Sequence, residues 1–165
     1  MKQLTNNSFS KQKGFTLIEL VVVIVILGIL AATAVPKFID LTGDARTSVM
    51  KGVQGSISSA VNLAHAKALV EGQTGDPGQI IIGSKYYALV NGFPSIAGIG
   101  DDDGSEDNGY GVVKLIELED GTDITFAAGV FTHSGATNTS TCTLTYANAA
   151  DSETPPVIEV VLTGC

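Results

Sequence analysis

The stretch GFTLIELVVVIVILGILAATAVP, residues 14–36, is the most continuously apolar part of this 165-residue chain. Sixteen residues from Leu20 to Val35 carry no charge, and Glu19 is the only charged residue of the whole stretch. A helix over residues 15–35 would be roughly 31 Å long, which is enough to cross the hydrocarbon core of a bilayer. Its residues are apolar on every face, whereas a helix on the surface of a small domain is apolar on one face. The stretch therefore predicts a helix that is buried in a membrane or among other helices.

Charge is distributed unevenly on the two sides of this helix. Lys2, Lys11 and Lys13 are the only charged residues among the first 14, while the remaining 151 residues hold 17 acids and six bases, a net charge of −11. The basic flank of a membrane span stays in the cytoplasm, so we expect the acidic body outside. An acidic body repels nucleic acid at long range, and no nucleic-acid partner is expected.

The residues that precede the apolar helix distinguish two kinds of processing. An ordinary secretory signal has a small-x-small cleavage site after its apolar region, and residues 31–34 would serve as one. The run from Lys13 to Glu19, KGFTLIE, instead resembles the amino terminus of type IV pilins and of type II secretion pseudopilins. This resemblance implies that a prepilin peptidase removes a leader, residues 1–14, by cutting between Gly14 and Phe15, and then methylates the Phe15 amine. The apolar helix then remains part of the mature protein.

Helical periodicity continues beyond residue 36. Apolar residues recur at three- and four-residue steps, and Gly72 with the turn at residues 75–78 ends the pattern. The periodic positions are Val49, Val53, Ile57, Val61, Ala64 and Ala68. We expect one helix from Phe15 to Glu71, made of a membrane and filament-core part, residues 15–36, and an amphipathic part, residues 37–72.

Gly28 and Pro36 are the two helix-weakening residues of the apolar part. Proline has no amide hydrogen and crowds the preceding turn, so a kink is expected at Pro36. Glycine lowers helix propensity at position 28. The resemblance implies that the helix loosens between these two residues in a filament, and a simple bend in a continuous helix is the alternative.

Residues 73–165 are expected to form a head built on an antiparallel sheet, because short β-type runs follow one another without helical patterns between them. The predicted strands are 79–82, 85–90, 111–118, 124–131, 141–146 and 157–162. The predicted fold class is α+β, the type IV pilin fold. In that fold a long amino-terminal helix, whose apolar half protrudes, packs its second half on the sheet, and a disulfide-bonded loop lies at the carboxyl end.

Cys142 and Cys165 are the only cysteines. In an oxidising compartment two cysteines most simply pair, and a carboxy-terminal disulfide loop is also what the resemblance implies. Closing a loop of this size contributes about 3 kcal/mol in the chain-entropy model. Two free thiols are the alternative.

An acidic cluster lies at residues 101–109. Carboxylates among glycines suit Ca²⁺, but the EF-hand template fails, since Glu106 stands where glycine is required and Val112 where glutamate is required. A solvated acidic loop is therefore the expectation, with weak Ca²⁺ binding as the alternative and no other cofactor. The candidate ligands are Asp101, Asp103, Ser105 and Asp107.

No nucleophile elbow, phosphate loop or zinc-binding helix motif occurs in the sequence, so no enzymatic activity is expected. The resemblance implies instead a structural subunit that polymerises with identical copies into an extracellular filament for attachment, adhesion and biofilm formation. It also implies assembly roles for Gly28, Pro36 and Glu19, whose carboxylate would meet the Phe15 amine of a neighbouring subunit. An ion pair with Phe15 within one chain and a carboxylate that reaches the lipid headgroups are the alternatives. The expected path runs from the inner membrane, with a cytoplasmic amino terminus, through an assembly platform and an outer-membrane secretin.

Looser similarities lie at residues 38–46, at residues 91–95 and at the cysteine-bearing end, and they point to the mannose-sensitive haemagglutinin branch of the pilins. Two other readings stay open. One is a type II secretion pseudopilin, and the other is a single-span periplasmic binding protein that does not polymerise.

Overall fold

The computed structural model describes residues 14–98, 104–106, 108–118 and 123–165, and of residues 39 and 40 only the backbone. The chain forms two compact units, Met1–Asp40 and Leu41–Cys165. A single helix, α1 (Leu17–Glu71), runs through both units, which confirms the long amino-terminal helix predicted from the sequence. It continues through both Gly28 and Pro36.

In the first unit, α1 presents its apolar side chains outward on all sides. The large apolar residues from Leu17 to Val35 are between 38% and 80% exposed. Such exposure is unfavourable in water but is satisfied by lipid or by other apolar helices. Within the described part of the chain, α1 is the one helix long and apolar enough to cross a membrane.

In the second unit, α1 is amphipathic. Its inner face contributes buried residues at helical spacing, namely Met50, Val53, Ile57, Val61, Ala64 and Ala68. The predicted periodicity is confirmed apart from its first position. Val49 is 47% exposed, whereas its neighbour Met50 is completely buried.

In the part of the chain that the structure describes, seven strands form two antiparallel sheets. The first sheet has the order β1-β2-β3 and the second the order β4-β5-β6-β7. The strands are β1 (Gly78–Ile82), β2 (Lys85–Val90), β3 (Phe93–Pro94), β4 (Ile124–Ala127), β5 (Val130–His133), β6 (Thr143–Ala147) and β7 (Val157–Val161). The core lies between α1 and the sheets, where Ile57 and Val61 join a cluster with Phe131, Leu144 and Tyr146.

The strand predicted over residues 111–118 is wrong, because the structure has a 3₁₀ helix at Val112–Ile116. Gly111 fits tightly against the backbone of residues 96–98, where a Cβ atom would lie 2.7 Å from the carbonyl oxygen of Ile96. Glu117 then ends the helix in the left-handed conformation, with φ of 43°. A short apolar run suits a strand and a buried helical turn equally well, and here Val112 is completely buried.

The strand predicted over residues 124–131 is in fact a hairpin, β4–β5, which turns at Ala128 and Gly129. Both residues have positive φ, 49° and 84°, as a two-residue hairpin turn requires. A Cβ atom on Gly129 would lie 2.7 Å from the carbonyl oxygen of Tyr146. Glycine therefore allows both the turn and the close approach to β6.

Candidate assembly site and the disulfide-bonded end

The residues around the predicted cleavage point lie at the beginning of α1. Gly14, Phe15 and Thr16 precede the helix, and the Phe15 side chain is 95% exposed. Residues 1–13, which include most of the predicted leader, lie outside the described residues. The structure therefore places the Gly14–Phe15 peptide bond in the non-helical residues directly before α1.

Thr16 and Glu19 form a reciprocal capping box at the start of α1. The Glu19 carboxylate accepts hydrogen bonds from the Thr16 amide and from the Thr16 hydroxyl, each at 2.8 Å. In return, the Glu19 amide donates to the Thr16 hydroxyl oxygen at 3.3 Å. The carboxylate is thus held beside the first turn, where the positive end of the helix dipole also favours it.

Phe15 and Glu19 share the walls of two shallow apolar recesses on the helix surface. One is completed by Ile18, Val22 and Val23, and the other by Leu20 and Val23. The Glu19 carboxylate is therefore the polar group within an otherwise apolar surface. A partner that covers this surface would have to satisfy the carboxylate as well as the apolar side chains.

The second candidate feature is the carboxyl end of the described chain. Cys142 and Cys165 form a disulfide bond with Cα atoms 4.8 Å apart, as predicted, and both residues are buried. The Arg46 guanidinium on α1 donates a hydrogen bond to the Cys165 carbonyl oxygen at 3.0 Å. The disulfide and this contact connect the end of the chain to β6 and to the helix.

Known proteins resemble this chain over part of its length. A profile of the prokaryotic N-terminal methylation motif matches residues 9–35. A type IV major fimbrial protein FimA of Dichelobacter nodosus is 37% identical over 120 residues, which cover 68% of this chain and 69% of that protein. This chain belongs to the type IV pilin family. The pilins are structural and not catalytic proteins, as the sequence predicted.

Two further relatives show the range of proteins that this pilin resembles. The type IV narrow pilus major component PilA5 of Thermus thermophilus is 48% identical over 58 residues, 35% of this chain and 50% of that protein. The type II secretion system core protein G of Pseudomonas aeruginosa is 42% identical over 79 residues, 41% of this chain and 56% of that protein. The pilin thus spans about half the length of these two relatives. No solved structure matches it.

The predicted calcium ligands of the pilin are only partly described. Asp101, Asp103 and Asp107 lie outside the described residues. Ser105 is described, and its carbonyl oxygen accepts a hydrogen bond from the Asn108 amide at 3.2 Å. Across the described ranges, no group of three or more acidic, histidine or cysteine side chains could hold a metal ion.

The two histidines of the pilin have local structural roles. His65 stacks on Phe93 with ring centroids 3.8 Å apart, and its Nδ1 donates to the Gly92 carbonyl oxygen at 2.9 Å. His133 is buried, and its Nδ1 accepts a hydrogen bond from the Gly135 amide at 3.2 Å. Each histidine therefore fixes a turn in its own part of the head.

Sequence reasoning identified Glu19 but missed two residues that position the candidate sites. Thr16 could have been recognised, because threonine three residues before glutamate at a helix start is the capping-box pattern. Arg46 could not have been recognised, since its hydrogen-bond partner, Cys165, is 119 positions away in the chain.

Proposed function

We propose that this pilin is a prepilin that becomes the major subunit of a type IV pilus. The observation that carries the proposal is the helix start, where an all-round apolar helix begins two residues after the Phe15 of a methylation motif. A prepilin peptidase would cut between Gly14 and Phe15 and methylate the new amine. The exposed apolar residues of α1 would lie in the inner membrane first and then against neighbouring helices in the filament.

Glu19 would direct the assembly step. Cleavage creates a cationic amine at Phe15, and the Glu19 carboxylate lies in the same apolar surface. As a subunit docks, this carboxylate would meet the Phe15 amine of a neighbouring copy. The contact neutralises two charges that are costly in lipid and sets the axial register between subunits. In the unassembled chain, the Thr16 capping box holds the carboxylate until that partner arrives.

The segment from Gly28 to Pro36 would give the helix its adaptability in the filament. Pro36 has no amide hydrogen to donate to the carbonyl oxygen of Ala32, so this turn lacks one helical hydrogen bond. Gly28 adds a second weak point, and a Cβ atom there would meet nothing within 4 Å. Neighbouring helices would therefore change the conformation of this segment at low cost.

The filament would serve attachment, adhesion and biofilm formation outside the cell. The expected partners are identical copies of the chain, the prepilin peptidase, an assembly platform in the inner membrane and an outer-membrane secretin. Within the family, we place the pilin in the mannose-sensitive haemagglutinin branch, on the similarities at residues 38–46 and 91–95 and at the Cys142–Cys165 end.

A pseudopilin of type II secretion is the second candidate, and the likeness to core protein G favours it. The disulfide-bonded carboxyl end favours the pilus subunit, because a terminal disulfide is not expected in a pseudopilin. A single-span periplasmic protein that does not polymerise would retain residues 1–14.

The proposal is tested by electron microscopy of surface filaments together with intact-mass analysis of their subunit. The expected subunit begins at Phe15 and carries one additional methyl group. A subunit that begins near Ala32 or Ala34 would indicate ordinary signal-peptidase processing. A correctly processed chain that is confined to short periplasmic fibres would support the pseudopilin instead.

A further inference from the structure

A cavity in the second unit opens between α1, the hairpin of β1 and β2, and the 3₁₀ helix at Val112–Ile116. We call it the head recess. Its volume is about 270 Å³. Ligand pockets in proteins usually have about 300–1,000 Å³, so the head recess has room for a small molecule.

A change in the size of the residues on α1 creates the head recess. In its middle part α1 buries large side chains, such as Met50 and Ile57, in the core beside the second sheet. Nearer its end it buries Ala64 and Ala68 in a second, smaller cluster. Leu115 packs against both clusters and lines the head recess. The small alanine side chains therefore leave unfilled space where the two clusters meet.

The walls of the head recess are mostly apolar and open to solvent. Leu63 on α1 is 77% exposed, and Ile82 at the end of β1 is 38% exposed. Water in contact with such walls is displaced favourably by an apolar group that fits between them. The walls therefore favour a ligand with an apolar body.

Three charged residues lie among these walls, namely Lys67, Lys114 and Glu117. The Lys67 ammonium is paired with the Glu71 carboxylate at 2.9 Å. Lys114 makes no ion pair within the described residues, and its Nζ lies 5.9 Å from the centroid of the Tyr110 ring. From residue 15 onwards the chain has 17 acids and six bases, so an uncompensated ammonium beside an apolar cavity is unusual here. Its charge complements an anionic group on a ligand.

Tyr87 adds a hydrogen-bonding group to the same lining. Its ring meets the Tyr110 ring at an interplanar angle of 65°, with centroids 5.5 Å apart. Burial raises the pKa of the Tyr87 hydroxyl, and Tyr110 and Glu117 add to the shift. The hydroxyl therefore stays protonated well above neutral pH and can donate a hydrogen bond to an acceptor on the ligand.

We propose that the head recess is a binding site for a small organic acid, a molecule with an apolar body and one carboxylate, in which Lys114 pairs with the carboxylate. Apolar walls with a few polar groups are the usual composition of a small-molecule site. Glu117 limits the ligand to one carboxylate, because a second one would meet a like charge. The head recess lies wholly in the second unit, so binding does not require polymerisation.

The full-length chain, held through its apolar helix in phosphatidylcholine nanodiscs, tests the proposal. The probes are phenylbutyrate and its neutral amide, and methyl-labelled NMR follows Leu63, Ile82 and Leu115. Empty nanodiscs measure how much of each probe enters the lipid. Phenylbutyrate should shift these methyl signals saturably, and the amide should bind at least about fivefold more weakly, because it lacks the charge that Lys114 attracts.

Substitution of Lys114 tests the charge of the site. Lys114→Gln should weaken phenylbutyrate binding by about tenfold and leave binding of the amide unchanged. Lys114→Arg keeps the charge and should retain most of the affinity for phenylbutyrate. Lys51→Gln is the matched control, because Lys51 is an exposed lysine of α1 outside the head recess, and it should bind like the wild type.

Substitution of an alanine tests the place of binding. Ala60→Leu fills the head recess from a partly exposed position and should abolish binding of both probes. Ala66→Leu, at an exposed alanine of the same helix outside the lining, is its control and should bind normally. Circular dichroism establishes that each variant is folded. Equal affinity of phenylbutyrate for the wild-type and Lys114→Gln chains overturns the proposal, and so does equal affinity of the two probes for the wild type.

Discussion

At the scale of single residues, Glu19 has a local role in the structure and, in the proposed function, an intermolecular one. Its carboxylate accepts hydrogen bonds from the Thr16 amide and hydroxyl. In the unassembled chain, the charge at the start of the apolar helix is therefore hydrogen-bonded. The hydrogen bond from the Thr16 hydroxyl to the Glu19 carboxylate joins residues three positions apart in the chain. A stronger, charge-assisted hydrogen bond from a cation can replace it. Thr16 is therefore a positioning residue for Glu19.

Substitutions at positions 16 and 19 separate these two roles. Glu19→Val should be inserted and cleaved normally but should incorporate into filaments about tenfold less well, which corresponds to ~1.4 kcal/mol per subunit contact. Thr16→Val keeps the carboxylate and removes only the cap, at about 1 kcal/mol of helix stability, so its filaments should be much less affected. Filament yield and subunit mass are the measurements.

Two outcomes would contradict this assignment. Normal piliation by Glu19→Val, with cleavage confirmed by mass, would remove the charge-pairing role. Equal defects in Glu19→Val and Thr16→Val chains, with Thr16→Ser restoring filaments, would transfer the effect to the helix cap.

At the scale of secondary-structure elements, the carboxyl end is attached to the head by several contacts. The disulfide joins Cys165 to Cys142, the residue directly before β6. The Gly164 carbonyl oxygen accepts from the Asn138 amide at 2.9 Å, and the Gly164 amide donates to the Thr141 carbonyl oxygen at 2.9 Å. A Cβ atom at position 164 would collide with the Thr141 hydroxyl and the Asn138 carbonyl, so glycine is required for this packing.

Cys142→Ala should therefore destabilise the head by about 2–5 kcal/mol, the usual cost of losing such a bond. Urea unfolding of the full chain in detergent, followed by circular dichroism, measures the loss. Cys165→Ala and the double variant should each lose the same free energy of unfolding as Cys142→Ala, because each of the three variants removes the same single bond. If Cys142→Ala unfolds at the same urea concentration as the wild type, or if the two single losses add in the double variant, then the bond is not what holds β7 in place.

At the scale of the whole head, hydrogen bonds join the two sheets. The Tyr146 hydroxyl on β6 donates to the Pro94 carbonyl oxygen on β3 at 2.5 Å. Asn148 accepts from the Ile96 amide at 2.8 Å, and Asn91 donates to the Ala149 carbonyl oxygen at 3.1 Å. Burial raises the pKa of Tyr146, because the folded head favours its neutral, hydrogen-bonded form.

This pKa shift predicts how the stability of the head depends on alkaline pH. Below about pH 10 the tyrosine is protonated in both the folded and unfolded states, and its contribution is fully present. Above that pH the unfolded chain releases the proton while the folded head keeps it, so Tyr146 lowers the stability by up to about 1.4 kcal/mol per pH unit. Tyr146→Phe should be less stable by about 1–3 kcal/mol at neutral pH.

Urea unfolding between pH 8 and pH 11 measures both effects. The Tyr146→Phe chain should lose stability less steeply than the wild type above pH 10. Some alkaline loss should remain, because burial also raises the pKa of Tyr87, with Tyr110 and Glu117 adding to the shift. If the free energy of unfolding fell equally steeply with pH in the wild-type and Tyr146→Phe chains, the Tyr146 proton would not be linked to folding.

The sequence by itself determined the features that are encoded within a few neighbouring residues. The apolar helix, its amphipathic continuation to Glu71 and the processing motif around Gly14 all depend on local periodicity or local chemistry. Cys142, Leu144 and Tyr146 alternate with threonines in the sequence, and all three are buried because successive strand residues face opposite sides. The pairing of the two cysteines followed from their number and the expected compartment.

Tertiary structure decided what depends on partners far away in the chain. The 3₁₀ helix at residues 112–116 follows Gly111, which packs on the backbone of residues 96–98, and the turn between β4 and β5 at Gly129 lies against β6. Arg46 donates a hydrogen bond to the Cys165 carbonyl oxygen, 119 positions away in the chain, so no local sequence pattern predicts this contact. A short apolar run has similar free energies as strand or helical turn, so the packing partner selects between them.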